Sequence, residues 1–334
     1  MRCRHLIFAA VVALVMATVT PVAAQNAPPG KASAPLRFKV AGTHPGWEWY
    51  EVLIEAGKEL GIWSKHGLEP EFVPAALVAT ELKDRIGSGV KIGYVSTAEV
   101  TLARSAGLPI KTIAGYIGDT LARVFVAAEG PIRSPKDLDG RKFGVLAADD
   151  TSYRAILYVN KRLSIKAEPV VLGSVDNRVA ALKSGQIAAF YSSEGVALTL
   201  VGPGQLRVLV PLSDLYPRPY TAVVAWATED LIAENPDLVR RFVAATLEAA
   251  QYLKDHPAYG SDLYTRQTNA PKALADQVAA RLAQGLSPDG RGNGGDLVAA
   301  VAGNWKFMTE SGAVPASTVV NIDDVVDARF LPKR

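Results

Sequence analysis

The chain is nearly without thiol. Its only cysteine, Cys3, lies before an apolar run and so does not stand at a cleavage point as a lipid-attachment cysteine would. Once the leader is cut away no cysteine is left, which excludes disulfides, zinc thiolates and a cysteine nucleophile from the mature chain. Histidine is scarce as well. His5, His44, His66 and His256 are scattered, at no spacing that suits a metal. Neither G-x-S-x-G nor a phosphate-binding loop occurs. No cofactor and no catalytic residues are expected. Polybasic runs are missing too, which makes nucleic acid and anionic membrane poor partners. Beyond the N-terminus no stretch is apolar over the length that spans a bilayer.

What is present begins with that N-terminus. "MRCRH" is a short cationic region, "LIFAAVVALVMATV" an apolar run of 14 residues, and Val22 and Ala24 occupy the small-residue positions of a cleavage site. Residues 1–24 read as a secretory signal. Its removal takes Arg2 and Arg4 and no acid, so the formal charge of +3 loses two and becomes +1. The mature protein is expected in the periplasm, soluble and monomeric. Residues 25–35, "QNAPPGKASAP", read as a linker.

Of 334 residues, 49% are hydrophobic and 21% charged. That is ordinary globular composition, and the length suits two domains. Strands and helices alternate from residue 36. "LRFKVAG", "EPEFVP", "VKIGYVS" and "IKTIAGY" read as strands, with helices over 47–60, 79–89 and 97–107 between them. The pattern restarts near residue 121. "RVFVAA", "RKFGVLA", "EPVVLGS", "IAAFYS", "LRVLVPL" and "YTAVVAWA" are strands, and a helix over "VDNRVAALKSG" has Ser174 as its cap. After residue 228 the chain reads as helical. Asn235 caps a long helix with Leu238, Phe242, Ala245, Ala249 and Tyr252 on one face, and two more helices lie at 271–284 and 295–311. "SPDGRGNGG" between those two reads as a mobile loop. Such alternation means an α/β fold with helices on both faces of its sheets. Residues 36–120 with 222–334 are expected to form one lobe and 121–221 the other, joined by crossovers near 118–123 and 218–223.

Several stretches carry a resemblance. "ELGIWSKHGLEPEFVP", "SPKDLDGRKFGV", "AALKSGQIAAF", "ATEDLIAENPDLVRRFVAATLEAAQYLKDHP" and "DDVVDARFL" resemble, in order, segments of the solute-binding proteins of ABC importers. The branch is the one typed by nitrate, sulfonate and taurine binders and by thiamine-precursor binders. In one stretch this chain departs from the pattern: the Asp that usually precedes the paired alanines is replaced by Ile187. The resemblance implies a hinged, two-lobed periplasmic binding protein fold of type II. It also implies a small-molecule ligand in the interlobe cleft and a partner permease in the inner membrane. The same fold serves a pyrimidine synthase associated with a cysteine-rich motif, of which nothing is present here. An enzyme on that scaffold and a ligand-sensing subunit of a membrane receptor are the alternatives.

In such lobes strands end and helices begin at the cleft, where free backbone N–H groups collect. Four junctions qualify. In "AGTHPGWEWYE" Thr43 or His44 offers a hydrogen bond and Trp47 an apolar wall, although Trp47 and Tyr50 equally suit burial against the sheet. In "YVSTAE" Ser96 and Thr97 suit both an N-cap and a ligand contact, capping being the stronger reading. In "LAADDTSYRA" one of Asp149 and Asp150 caps a helix and the other nears the cleft, with Thr151 and Ser152 behind them. Two carboxylates there repel a small dense anion such as nitrate and suit a ligand hydroxyl, amine or amidine. In "FYSSEG" Ser193 is a cap, Tyr191, Ser192 and Glu194 are cleft candidates, and Glu194 also suits a simple first-turn acid. Arg123 and Tyr220 lie by the crossovers, and Arg123 either pairs a ligand carboxylate or braces the hinge. These residues point to a small organic ligand, aromatic, heteroaromatic or sulfonate-like.

Overall fold

The structure is a computed structural model, and it describes residues 35–43, 49–76, 78–148, 150–202, 204–315 and 317–333. The expected signal, nearly all of the linker, His44, Trp47 and Asp149 lie outside the described residues, as does the side chain of Thr43.

Ten strands form two sheets. They are β1 (Leu36–Thr43), β2 (Leu68–Pro74), β3 (Ile92–Ser96), β4 (Ile110–Ile117), β5 (Ala122–Ala127), β6 (Lys142–Val145), β7 (Glu168–Val171), β8 (Ala189–Ser193), β9 (Leu206–Pro211) and β10 (Val223–Thr228). The first sheet has the order β2-β1-β3-β10-β4 and the second β7-β6-β8-β5-β9. The two orders repeat one plan. Three parallel strands come first, and an antiparallel strand is inserted fourth: β10 between β3 and β4, β5 between β8 and β9. Each inserted strand is the one the chain makes on arriving from the other sheet. The passages run between Ile117 and Ala122 and between Pro211 and Val223. This is the α/β periplasmic binding protein fold with two crossovers.

β5 and β10 lie inside their sheets and β4 at an edge that the segment 287–295 covers, and all three are almost wholly buried. In the first core the Phe242 ring stacks on Trp63 at 6.0 Å and on Tyr94 at 5.2 Å. Trp63 is buried without a lost donor, because its indole N–H donates to the Ile54 carbonyl at 3.2 Å. Phe242 comes from the helix Pro236–Asp255, capped by the Asn235 side chain on the Leu238 N–H at 3.1 Å. Phe143, Tyr158 and Phe307 anchor a second core, and Phe125 stacks on Phe190 in a third. The helix Leu297–Glu310 serves two of them: Leu297 and Val301 belong to the first core, Phe307 and Met308 to the second.

Some elements differ from the sequence reading. Strand β6 stops at Val145 rather than Ala147, because the next two N–H groups turn to side chains: Leu146 donates to Ser152 Oγ and Ala147 to Asp150. A helix over Pro257–Thr268 follows the long one directly. Its proline occupies the first turn, where a missing N–H costs nothing, so it starts a helix where the sequence reading placed only an end. The segment 287–295 is tied down rather than mobile. It runs along β4, with Gly115 N–H on the Gly290 carbonyl at 2.7 Å and Gly292 N–H on the Gly115 carbonyl at 2.9 Å. Gly290 and Gly292, at φ +74° and +70°, supply the left-handed turns that this path needs.

Candidate functional site

A cleft of about 760 Å³ opens at the ends of β3 and β8. Both sheets contribute to it, together with the return passage and the helix Leu297–Glu310. Of the expected residues Ser96, Asp150, Thr151, Tyr191, Ser192 and Tyr220 line it.

Asp150 does so as a spent cap. One carboxylate oxygen accepts from Ser152 Oγ (2.7 Å) and the Tyr153 N–H (3.1 Å), and the other from the Ser152 N–H (3.1 Å). It is 5% exposed. A carboxylate engaged by this many local donors is committed to its helix, Thr151–Leu163. Ser152 is fully buried behind it and joins that network rather than the cleft lining.

Thr97 is likewise fully buried, and its hydroxyl donates to the Thr221 carbonyl at 2.7 Å. It fastens the helix Thr97–Ser105 to the return passage. Arg123 and Glu194 are drawn into each other and away from the lining. Their side chains stand 3.4 Å apart, both buried, and Arg123 also donates to the Thr120 and Ala122 carbonyls at 3.2 and 3.0 Å. Glu194 takes two further partners from the helix Lys272–Gly285, Arg281 and Gln277. Arg123 is therefore a brace between the passage and the helix Glu194–Val201. Burial lowers its pKa, and the Glu194 carboxylate opposes that fall.

Of the three serines that the sequence offers as caps, Ser174 behaves as one and Ser96 and Ser193 do not. Ser96 and Ser193 stand at N-cap positions, yet neither makes a side-chain cap bond. The first helical N–H is taken by the passages instead, Thr97 N–H by the Ala222 carbonyl (3.1 Å) and Glu194 N–H by that of Leu121 (3.3 Å).

The sequence reading missed Glu99, Arg178, Tyr216, Asn304 and Phe307, all of which line the cleft. Glu99 is 1% exposed. One of its oxygens is held by Arg154, which reaches across from the helix Thr151–Leu163. Burial raises the Glu99 pKa, Arg154 counters it, and the nearby Asp150 charge adds to the rise. The Arg178 guanidinium donates to the Ser174 and Tyr191 carbonyls. Burial raises the hydroxyl pKa of Tyr216 and Tyr220, so both remain protonated donors.

One property gathers these residues. Six of the lining residues carry a buried polar atom with no partner among the described residues: Ser96 Oγ, Glu99 Oε2, Ser192 Oγ, Ser193 Oγ, Tyr216 OH and Asn304 Oδ1. Buried polar groups are nearly always paired, and each such atom unpaired costs about 1–3 kcal/mol. Six of them around one hollow make it the candidate binding surface. Between them stand Tyr191, Tyr216, Tyr220 and Phe307, and the Tyr216 ring packs against those of Tyr220 at 5.1 Å and Phe307 at 4.5 Å. Among the described residues no group of three or more His, Cys, Asp or Glu could hold a metal ion.

Known proteins of similar sequence and shape agree with this architecture. A binding protein of Brucella abortus is 25% identical over 239 residues, covering 69% of this chain and 72% of its own. The riboflavin-binding protein RibY of Chloroflexus aurantiacus is 27% identical over 179 residues, 53% of this chain and 50% of its own. Among solved structures, the periplasmic aliphatic sulphonate binding protein SsuA of Escherichia coli superposes with a TM-score of 0.68 at 17% identity, over 90% of this chain and 94% of its own. The desulfurization enzyme DSZB superposes at 0.57 and 18%, over 88% of this chain and 97% of its own. The family model described as NMT1/THI5 like matches residues 52–259, well over half of the chain, and the chain belongs to that family.

Proposed function

We propose that the protein is the solute-binding component of an ABC importer and captures a small organic ligand in the cleft between its two sheets. The observation that carries this reading is the set of six unpartnered buried polar atoms around one hollow. A ligand satisfying them binds one conformation in preference to others and so favours it. In this reading residues 36–120 with 222–334 are one lobe and 121–221 the other, hinged at the two passages. The closed form is what a membrane permease recognises, and the protein acts as a monomer exported by residues 1–24. Among the described residues no helix is long and apolar enough to cross a membrane. The tyrosine rings favour an aromatic or heteroaromatic ligand.

A thermal-shift screen over pyrimidines, flavins, aromatic acids, amines and sulfonates tests the reading. A compound at one hundred times its Kd stabilises the protein by about 2.7 kcal/mol, a readily measured rise in Tm. The bound compound should be recovered unaltered. Turnover would make the protein an enzyme, and a screen without any shift would remove the solute-binding reading.

A further inference from the structure

We infer that Glu99 determines ligand specificity: its unpartnered oxygen, Oε2, accepts a hydrogen bond from an N–H or O–H group of an uncharged ligand, and the same carboxylate excludes anions. This rests on the solute-binding reading of the cleft and deepens it.

The argument is one of charge and donors. Glu99 sits in the first turn of the helix Thr97–Ser105 and is 1% exposed. Oε1 is held by Arg154 from the second sheet's side, while Oε2 is buried, lines the cleft and meets no partner among the described residues. An ionised carboxylate only accepts, so its complement is a donor. Arg154 balances its charge, so the ligand need not be a cation.

Several of the groups that would welcome an anion are already used. The first N–H of the helix Thr97–Ser105 is bonded to the Ala222 carbonyl and that of the helix Glu194–Val201 to the Leu121 carbonyl. The start of the helix Thr151–Leu163 is filled by the Asp150 carboxylate. Arg178, the one cation among the described lining residues, directs donors to two backbone carbonyls. Against it the lining holds three carboxylates, Glu99, Asp150 and Asp176. A sulfonate entering here would meet hydroxyl donors but a cation already engaged with the backbone, and the Glu99 carboxylate facing it.

The test uses the full mature chain and calorimetric titration. The probes are uracil and riboflavin, their N-methylated forms 1,3-dimethyluracil and 3-methylriboflavin, and the sulfonates taurine and MOPS. Wild type should bind at least one free N–H compound at least about tenfold more tightly than its methylated form, the loss expected when a hydrogen bond to a charged group is removed. It should bind neither sulfonate. Glu99→Gln keeps the shape, so the N–H ligand should weaken by about tenfold or more. The variant lacks the Glu99 charge that repels anions, and sulfonate binding should appear. Equal affinity for methylated and unmethylated forms, or sulfonate binding by wild type, overturns the inference and leaves the solute-binding reading standing. Should Glu99→Gln fail to fold, the wild-type comparison decides alone. Binding of no probe overturns the inference, while the solute-binding reading is judged separately by the wider thermal-shift screen.

Discussion

Ser96 and Ser193 occupy matching places in the two sheets. Each ends a strand, each stands at the N-cap of the helix that follows, and their backbone angles are nearly the same, φ/ψ −64/149° and −67/148°. In both, a carbonyl of the passage between the sheets accepts the first helical N–H, and the serine hydroxyl makes no cap bond to the N–H groups that follow. The crossovers thus tie down both helix starts, and two buried hydroxyls are left unpartnered at the cleft.

Removing those hydroxyls should not harm the ligand-free protein. Ser96→Ala and Ser193→Ala each delete an unpaired buried oxygen, so unfolding free energies in urea should stay within about 0.5 kcal/mol of wild type or rise. Ser174→Ala is the contrast, because the Ser174 hydroxyl does accept from the Asn177 N–H at 3.3 Å. It should cost about 1 kcal/mol. A loss of that size in Ser96→Ala would mean that its hydroxyl caps after all.

Glu194 should be far more costly to remove than its exposed partner. Glu194→Ala leaves Arg123 buried without its carboxylate, which typically destabilises by about 3–5 kcal/mol. Arg281 is 35% exposed at its side chain, and its loss leaves Glu194 with Arg123 and Gln277. Arg281→Ala should therefore cost about 1 kcal/mol or less. Equal losses in urea titrations would show that Arg123 does not depend on Glu194.

These contrasts show where the sequence is informative. The alternation of strands and helices, the restart near residue 121 and the caps at Ser174 and Asn235 are local patterns, and a single chain carries them openly. The cleft is not local. Glu99 lies in "STAEVTLARS", where an acid near a helix start looks like a dipole partner, and only its meeting with Arg154, 55 residues away, gives it another role. Tyr216, Asn304 and Phe307 reach the cleft from the return passage and a late helix, with no spacing that links them to β3 or β8. Asp150 is legible as one of two candidate caps, and its partners are the local groups a cap takes, whereas Glu194 is legible as a candidate polar residue but not the Arg123, Gln277 and Arg281 that engage it. Satisfaction of a polar group is a tertiary property, and spacing does not encode it.

Acid stability should carry a contribution from Asp230. Its hydrogen bond with Lys91, followed by one with Thr228, lowers its pKa from 3.8 to about 2. The folded chain binds that proton less readily than the unfolded one, so the stabilisation is present above about pH 4 and is lost as pH falls through about 2. Since the carboxylate is half exposed, the contribution is below about 1 kcal/mol. Asp230→Asn should lower stability at pH 6 by that amount and merge with wild type near pH 2. A constant gap between the two unfolding curves across this range would place the effect elsewhere.

Gly303 is where one added methyl should matter most. It lies within the helix Leu297–Glu310, and a β-carbon there would overlap the Pro219 carbonyl of the return passage. Helix propensity favours alanine by about 1 kcal/mol. Overpacking against backbone costs about 1–3 kcal/mol or more, and the passage cannot yield without shifting Tyr220 at the cleft. Gly303→Ala should therefore lower both unfolding free energy and ligand affinity. Gly87→Ala, at the end of the helix Ala79–Gly87 with open space around the new carbon, should be neutral or stabilising. If the two variants unfold alike in urea, the helix does not rest on the passage, and the coupling of both cores through Leu297–Glu310 is lost with it.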